Sequence, residues 1–246
     1  MLTQDQQIFE QIKKAKNILI VFKKVWSGDS VGSGLAMYLF LKKIGKDVEI
    51  AAEKFDQGNL YSFLPAYSEI KNSIENLRQF IISLDITDTK VNQIKYKVEE
   101  DTLNFIISPK DGFFSEEDIS SRSSGFKYDL IISLDAPDME ALGKIYDNDT
   151  EFFYHTPIIN IDCHSNNEEY GQINLIELTA VSTSEILFNL FDKYSREAID
   201  ENIATCLLAG MIAETRSFKT PNVTPNALST AAQLVTMGAR RDEIVN

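Results

Sequence analysis

Three short apolar runs, each leading into an acid, constrain this chain more than anything else in it. NILIVF (17–22) precedes Asp29, DLIISLD (129–135) ends on Asp135, and PIINID (157–162) ends on Asp162. These runs are rich in Ile, Leu and Val without polar alternation, the pattern of strands buried on both faces. After the first run, residues 30–44 carry an apolar face at Val31, Leu35, Tyr38 and Leu39 and stop at Gly45. DVEIAAE (47–53) then supplies another strand. Strand, helix and strand in this order make a βαβ unit.

The remaining elements extend that pattern. Helices are expected over 4–16, 139–146, 182–194, 202–218 and 224–239, and further strands over 127–138, 157–164 and 171–178. The fold class is therefore α/β, a five-stranded parallel sheet flanked by helices. Between about residues 76 and 126 the pattern changes. The segments 79–87, 91–100 and 102–112 alternate apolar and polar residues and are joined by turn-like DTK and EED, as in an antiparallel meander. Residues 114–125 read as a loop or short helix. Residues 1–246 are thus expected to form one α/β domain with a small antiparallel β insertion at 76–126.

Bulk properties exclude several functions. The net charge of −13 on 246 residues repels a polyanion, so sequence-independent binding of duplex nucleic acid is not expected. A short nucleotide or small phosphorylated ligand is compatible with it. No run approaches the roughly 18 apolar residues that span a membrane. The first sixteen residues lack the apolar core of a secretory signal. Two cysteines, Cys163 and Cys206, do not make a disulfide framework. A cytoplasmic setting is the expectation.

In a parallel α/β sheet, ligands bind at the carboxyl ends of strands. Asp29, Asp135, Asp162 and His164 fall there, and Glu214 interrupts an otherwise apolar helix. Converging buried carboxylates need a cation, hydrogen bonds or protons. Together they signal a metal site, although Asp29 or Asp138 alone reads equally well as a helix cap or turn residue.

The segments SGDSVGSG (27–34), LIISLDAPD (130–138), PIINIDCH (157–164) and ATCLLAGMIAETRSF (204–218) resemble, in order, the four motifs of the DHH phosphoesterase superfamily. The resemblance covers nearly the whole chain outside the insertion. It implies a DHH-type N-terminal domain with a two-metal site, commonly manganese, that activates water against a phosphoester. It assigns catalytic positions to Asp29, Asp135, Asp162, His164 and Glu214. It also exposes substitutions. Lys23 stands where the family has a histidine ligand, Ser27 replaces an aspartate, Cys163 replaces the first histidine of Asp-His-His, and Glu214 replaces an aspartate.

An ammonium repels a cation, so a two-manganese site is not expected. What remains is no metal, or one divalent ion, manganese or zinc, on Asp29, Asp135, Cys163 and Glu214, with thiolate favouring zinc. Lys23 could instead place its own charge among the acids, or point into solvent beside Lys24. His164 could contact a phosphate or simply bond a neighbouring carboxylate. Amides at Gly32 and Ser33 could receive a phosphate, or Gly32 could serve close packing. Trp26, where the family has proline, could fill the volume of metal and water. The substrate-binding domain that usually follows the DHH core, with its glycine-rich histidine motif, is not expected here.

Three functions remain in view. One is an impaired DHH-like domain binding a small phosphorylated ligand or a protein partner. Another is a working metal-dependent phosphoesterase. The last is an interaction module whose β insertion contacts a second copy or another protein.

Overall fold

A computed structural model of the protein describes residues 2–56 and 58–245. In chain order it contains α1 (Gln4–Lys14), β1 (Asn17–Phe22), α2 (Gly28–Lys43), β2 (Asp47–Ala51), β3 (Ile70–Lys71), β4 (Arg78–Leu84), β5 (Val91–Glu99), β6 (Thr102–Pro109), β7 (Ile119–Phe126), β8 (Leu130–Leu134), α3 (Lys144–Asp147), α4 (Thr150–His155), β9 (Ile158–Asp162), β10 (Ile173–Ile176), α5 (Thr183–Ser195), α6 (Glu201–Glu214), α7 (Pro225–Thr236) and α8 (Arg241–Val245). They divide into two units, Arg78–Lys127 and the remainder of the chain.

The larger unit holds a parallel sheet in the order β10-β9-β8-β1-β2-β3. It has six strands where five were expected. The extra one, β3, is a two-residue strand against Ile50 and Ala51, too short to carry a period. Ile18–Phe22 are all buried, as are all residues of β8 and β9, which is why these strands show no alternation.

Helix α2 begins at a reciprocal cap between Ser27 and Ser30 and ends at Gly45, whose φ of 81° suits glycine. It packs on β1, β2 and β8 and also crosses α6. Every residue of α6 from Ile203 to Met211 is buried, so the helix is apolar all round. Glycines set the α2–α6 distance. A Cβ on Gly32 would meet the Cys206 carbonyl oxygen at 2.5 Å, and one on Gly28 would meet the Ala213 Cβ at 2.3 Å. Beside this crossing Phe40 and Phe191 stack with ring centroids 3.9 Å apart.

The smaller unit is antiparallel, but it is not a meander of consecutive strands. β5 pairs with β6 as a hairpin, and β4 pairs with β7 across the intervening chain. The segment read as a loop or short helix is a single 3-10 turn, Glu116–Asp118, followed by β7. Serines dominate ISSRSSGF, so its strand character comes from pairing with β4 rather than from its own residues.

The helix expected over 139–146 is a 3-10 turn, Glu140–Leu142, and then α3, because Gly143 at φ 61° breaks it. The helix expected to reach 218 stops at Glu214 and Thr215. Arg216, Ser217 and Phe218 then adopt positive φ in succession.

Candidate functional site

The carboxyl ends of β1, β8 and β9 gather the expected residues. Lys23 directly follows β1, Ser27 caps α2, Asp135 follows β8 and Asp162 ends β9. Lys23 Nζ lies 2.7 Å from Asp135 Oδ2, with Asp135 fully buried. Ser27 Oγ donates to the same oxygen at 3.0 Å. Lys24, by contrast, turns outward to the Glu140 carbonyl. Asp135 adopts a φ of 53°, uncommon for a residue other than glycine, and its Oδ1 accepts no hydrogen bond.

Charges here are strongly coupled. Burial opposes the Lys23 ammonium, but Asp135, with Asp29 and Glu214 farther off, reverses the balance and raises its pKa. Burial, together with the charge of Asp29, lifts Asp135 to about 7 despite Lys23. Burial also raises Asp29 against its hydrogen bonds and Lys23.

Asp162 organises the strand end next door. Its Oδ1 accepts the Cys163 amide at 2.8 Å and His164 Nδ1 at 2.7 Å, and its Oδ2 accepts Asn167 at 2.9 Å. The Asp162 and Cys163 bonds to His164 raise that imidazole to about 11, so it is cationic at neutral pH. Burial pushes the Cys163 thiol up. Among the described residues, the donor atoms of Asp162, Cys163 and His164 form the one group of three His, Cys, Asp or Glu close enough to share an ion, all within 4.8 Å of one another.

Other expected residues are used differently. Asp29 receives the amides of Thr183 and Ser184 at 2.6 and 3.0 Å, with the Ser184 hydroxyl at 2.6 Å. It therefore serves as the hydrogen-bond acceptor at the N-terminus of α5. Glu214 closes α6, half-buried, and influences Lys23 without a direct ion pair. Asp138 caps the turn at Ala141.

Gly32 and Ser33 sit inside α2 rather than in its first turn. Both are buried in the second turn of α2, where amides already bond within the helix; Gly32 faces α6, and the Ser33 hydroxyl bonds the Ser30 carbonyl. Trp26 lies in the turn between β1 and α2. It is buried with Phe22, Phe55 and Tyr67 and donates to the Glu53 carbonyl.

Sequence reasoning missed Ser184, Asn167 and Gly210. A Cβ on Gly210 would sit 2.0 Å from Ser184 Oγ and 2.8 Å from Asp29 Oδ1, so its absence admits that hydrogen bond. The serine cap before α5 and the polar run HSNN were the available signals, but neither names a partner.

The Lys23 ammonium holds one oxygen of Asp135, Asp29 is committed to α5, and Glu214 stands apart.

Acid-ended parallel strands converging on a buried carboxylate define an α/β protein with a strand-end anion–cation centre. A model of the DHH family N-terminal domain matches residues 17–211, and the chain belongs to that family. It is similar to the bifunctional oligoribonuclease and PAP phosphatase NrnA of Thermus thermophilus, 22% identical over 219 residues, covering 89% of this chain and 49% of that one. The Bacillus subtilis NrnA is 25% identical over 119 residues, covering 48% and 36% respectively. The chain thus spans about half or less of the length of these curated relatives. An exopolyphosphatase-related protein from Bacteroides fragilis shares the fold, with a TM-score of 0.70 at 18% identity over 98% of this chain and 58% of that one. Among the described residues no helix is long and apolar enough to cross a membrane.

Proposed function

We propose that this chain is a DHH phosphoesterase-type domain in which an internal ammonium stands in for one metal ion, so that it binds a small phosphorylated or nucleotide ligand while hydrolysing it poorly. The 2.7 Å contact of Lys23 with Asp135 carries this reading. A metal ion bridged through the Asp135 oxygen that Lys23 holds would have to displace the ammonium, and a cation beside an ammonium is repelled. That oxygen also accepts Ser27. The half-exposed His164 imidazolium, 3.5 Å from Asp135 Oδ1, offers a second positive group to a phosphate. The relatives' names, an oligoribonuclease and PAP phosphatase, support a ligand of the nucleotide phosphate class.

The test is turnover of a generic phosphodiester with added manganese. The unaltered chain is expected to show none above background, and Lys23→His combined with Ser27→Asp is expected to gain it. Manganese-dependent turnover by the unaltered chain, abolished by Asp135→Asn, would instead make it a working phosphoesterase.

A second reading, as an interaction module, is favoured by the β5–β6 ribbon. Ile94, Tyr96 and Val98 lie opposite Ile107, Phe105 and Leu103 on one face, and Tyr96 is 74% exposed. An isolated two-stranded ribbon is marginal in water, so such a face gains from being covered. Tyr96→Lys with Phe105→Glu is expected to abolish self-association or partner capture in sedimentation. An unaltered chain that stays monomeric and captures nothing counts against it.

A further inference from the structure

The β5–β6 ribbon has one face without a charge. Directly opposite residues share a face, so Ile94 with Ile107, Tyr96 with Phe105 and Val98 with Leu103 form one apolar stripe. Five of these six, all but Ile107, are more than half exposed. The other face carries Lys95, Lys97 and Asn104, and Lys97 is engaged with Glu99. Neither strand pairs with another sheet, and among the described residues of 78–127 none is buried. A two-stranded ribbon with no core beneath it gains stability only when that stripe is covered.

Charge along the ribbon selects what covers it. The turn between the strands holds Glu100 and Asp101, and the open end holds Lys90 and Lys110, joined there by an amide-to-carbonyl bond of 2.7 Å. All four are exposed. The ribbon therefore has an acidic tip and a basic base. A second ribbon laid face to face in the same direction sets acids on acids. Laid in the opposite direction, it sets acids on lysines at both ends, as the two-fold symmetry of an isologous contact requires. The arms match. Asp101 lies four residues before Phe105 and Lys110 five after it. These are arms of about 14 and 17 Å from an axis at the Tyr96–Phe105 pair, and the flexible lysine stem spans the difference.

We propose that two copies of this chain dimerise by packing the apolar faces of their β5–β6 ribbons together in opposite directions, Glu100 and Asp101 of each copy facing Lys90 and Lys110 of the other. It rests on the reading of the chain as an interaction module and fixes the partner as a second copy. The stripe offers roughly 600 Å² per copy, so the pair covers about 1,200 Å² in all, the lower end for a specific interface. Repulsion between copies is small here despite the net charge of −13, because between residues 78 and 127 acids outnumber bases only by nine to seven.

The test is sedimentation equilibrium of the full chain and of two charge-reversed variants, Lys90→Glu with Lys110→Glu, and Glu100→Lys with Asp101→Lys. The unaltered chain is expected to form a concentration-dependent dimer. Each variant alone sets like charges together at both ends, and its dimer is expected to be weaker by about tenfold or more. Mixed in equal amounts, the two variants are complementary at both ends and are expected to recover the dimer. Circular dichroism melts establish that both are folded. A monomeric unaltered chain, variants that dimerise as it does, or a mixture that stays monomeric overturns the proposal. If the chain stays monomeric but captures another protein, and Tyr96→Lys with Phe105→Glu abolishes that capture, the second copy is the wrong partner and the interaction-module reading stands. A dimer that survives Tyr96→Lys with Phe105→Glu overturns both.

Discussion

Ser184 Oγ donates to Asp29 Oδ1 at 2.6 Å, tying the first turn of α5 to the first turn of α2 across 155 residues of sequence. Asp29 is thus a structural acceptor as much as a strand-end acid. Ser184→Ala is expected to destabilise the chain by about 1–3 kcal/mol, the range for leaving a buried acceptor short of a partner. Asp29→Asn should cost a similar amount, because an amide offers one acceptor oxygen and turns its own donors toward the Thr183 and Ser184 amides. Urea unfolding of both variants measures this. A loss below about 0.5 kcal/mol in each, within ordinary surface-substitution noise, would remove the cap role.

Gly210→Ala tests the space that this bond occupies. In an exposed helix interior the change would gain up to about 1 kcal/mol. Here the new Cβ would sit 2.0 Å from Ser184 Oγ, so α6 must back away. A net loss of about 1–3 kcal/mol is expected from overpacking. In a Ser184→Gly background Gly210→Ala should cost less than in the unaltered chain, because the side chain it meets is gone. Equal costs in the two backgrounds would place the clash elsewhere.

Asp200 gives a pH-dependent expectation. It caps α6 through the Asn202 and Ile203 amides and pairs with Lys43 at 2.7 Å. Burial works against ionisation, but the Lys43 bond and those amides hold its carboxyl below the usual range. A depressed folded pKa contributes stability that is present above the unfolded value of about 4 and lost as pH falls through the folded value. Asp200→Ala should therefore cost about 1 kcal/mol at neutral pH and progressively less in acid. A cost that stays constant from pH 7 to pH 3 would show that the charge is not involved.

Arg216, Ser217 and Phe218 form a left-handed turn, with φ of 49°, 60° and 61°. Side chains other than glycine cost about 1–2 kcal/mol each in that region. Arg216→Gly should raise the melting temperature, whereas Arg216→Ala, which keeps a Cβ, should not. Equal effects from the two would trace the change to the guanidinium rather than the backbone.

The parts of the fold that were legible in the sequence are those where composition and period agree. NILIVF, LIISL and IINID are buried on both faces and look it. The β4–β7 pairing was not legible, because neighbouring alternating segments suggest pairing in series and β7 is mostly serine. At the site, Lys23 against Asp135 could be anticipated because a cation stood where acids converged. Asp29 as the cap of α5 could not, since its partners are the Thr183 and Ser184 amides and those are set only when the helices pack. Gly32 illustrates the same gap. A glycine near a helix start fits an anion cradle or close packing equally well, and the 2.5 Å approach of its would-be Cβ to Cys206 is visible only once α2 and α6 pack.

Arg78 pairs with Phe126 at one end of the β4–β7 ladder, so the 78–127 unit begins and ends at neighbouring points. A piece attached in that way resembles a graft. Joining residue 77 to 128 would remove the unit without cutting the chain between β8 and β9, whose ends bear Asp135 and Asp162. Ribbon and chemistry are then free to diverge at separate rates.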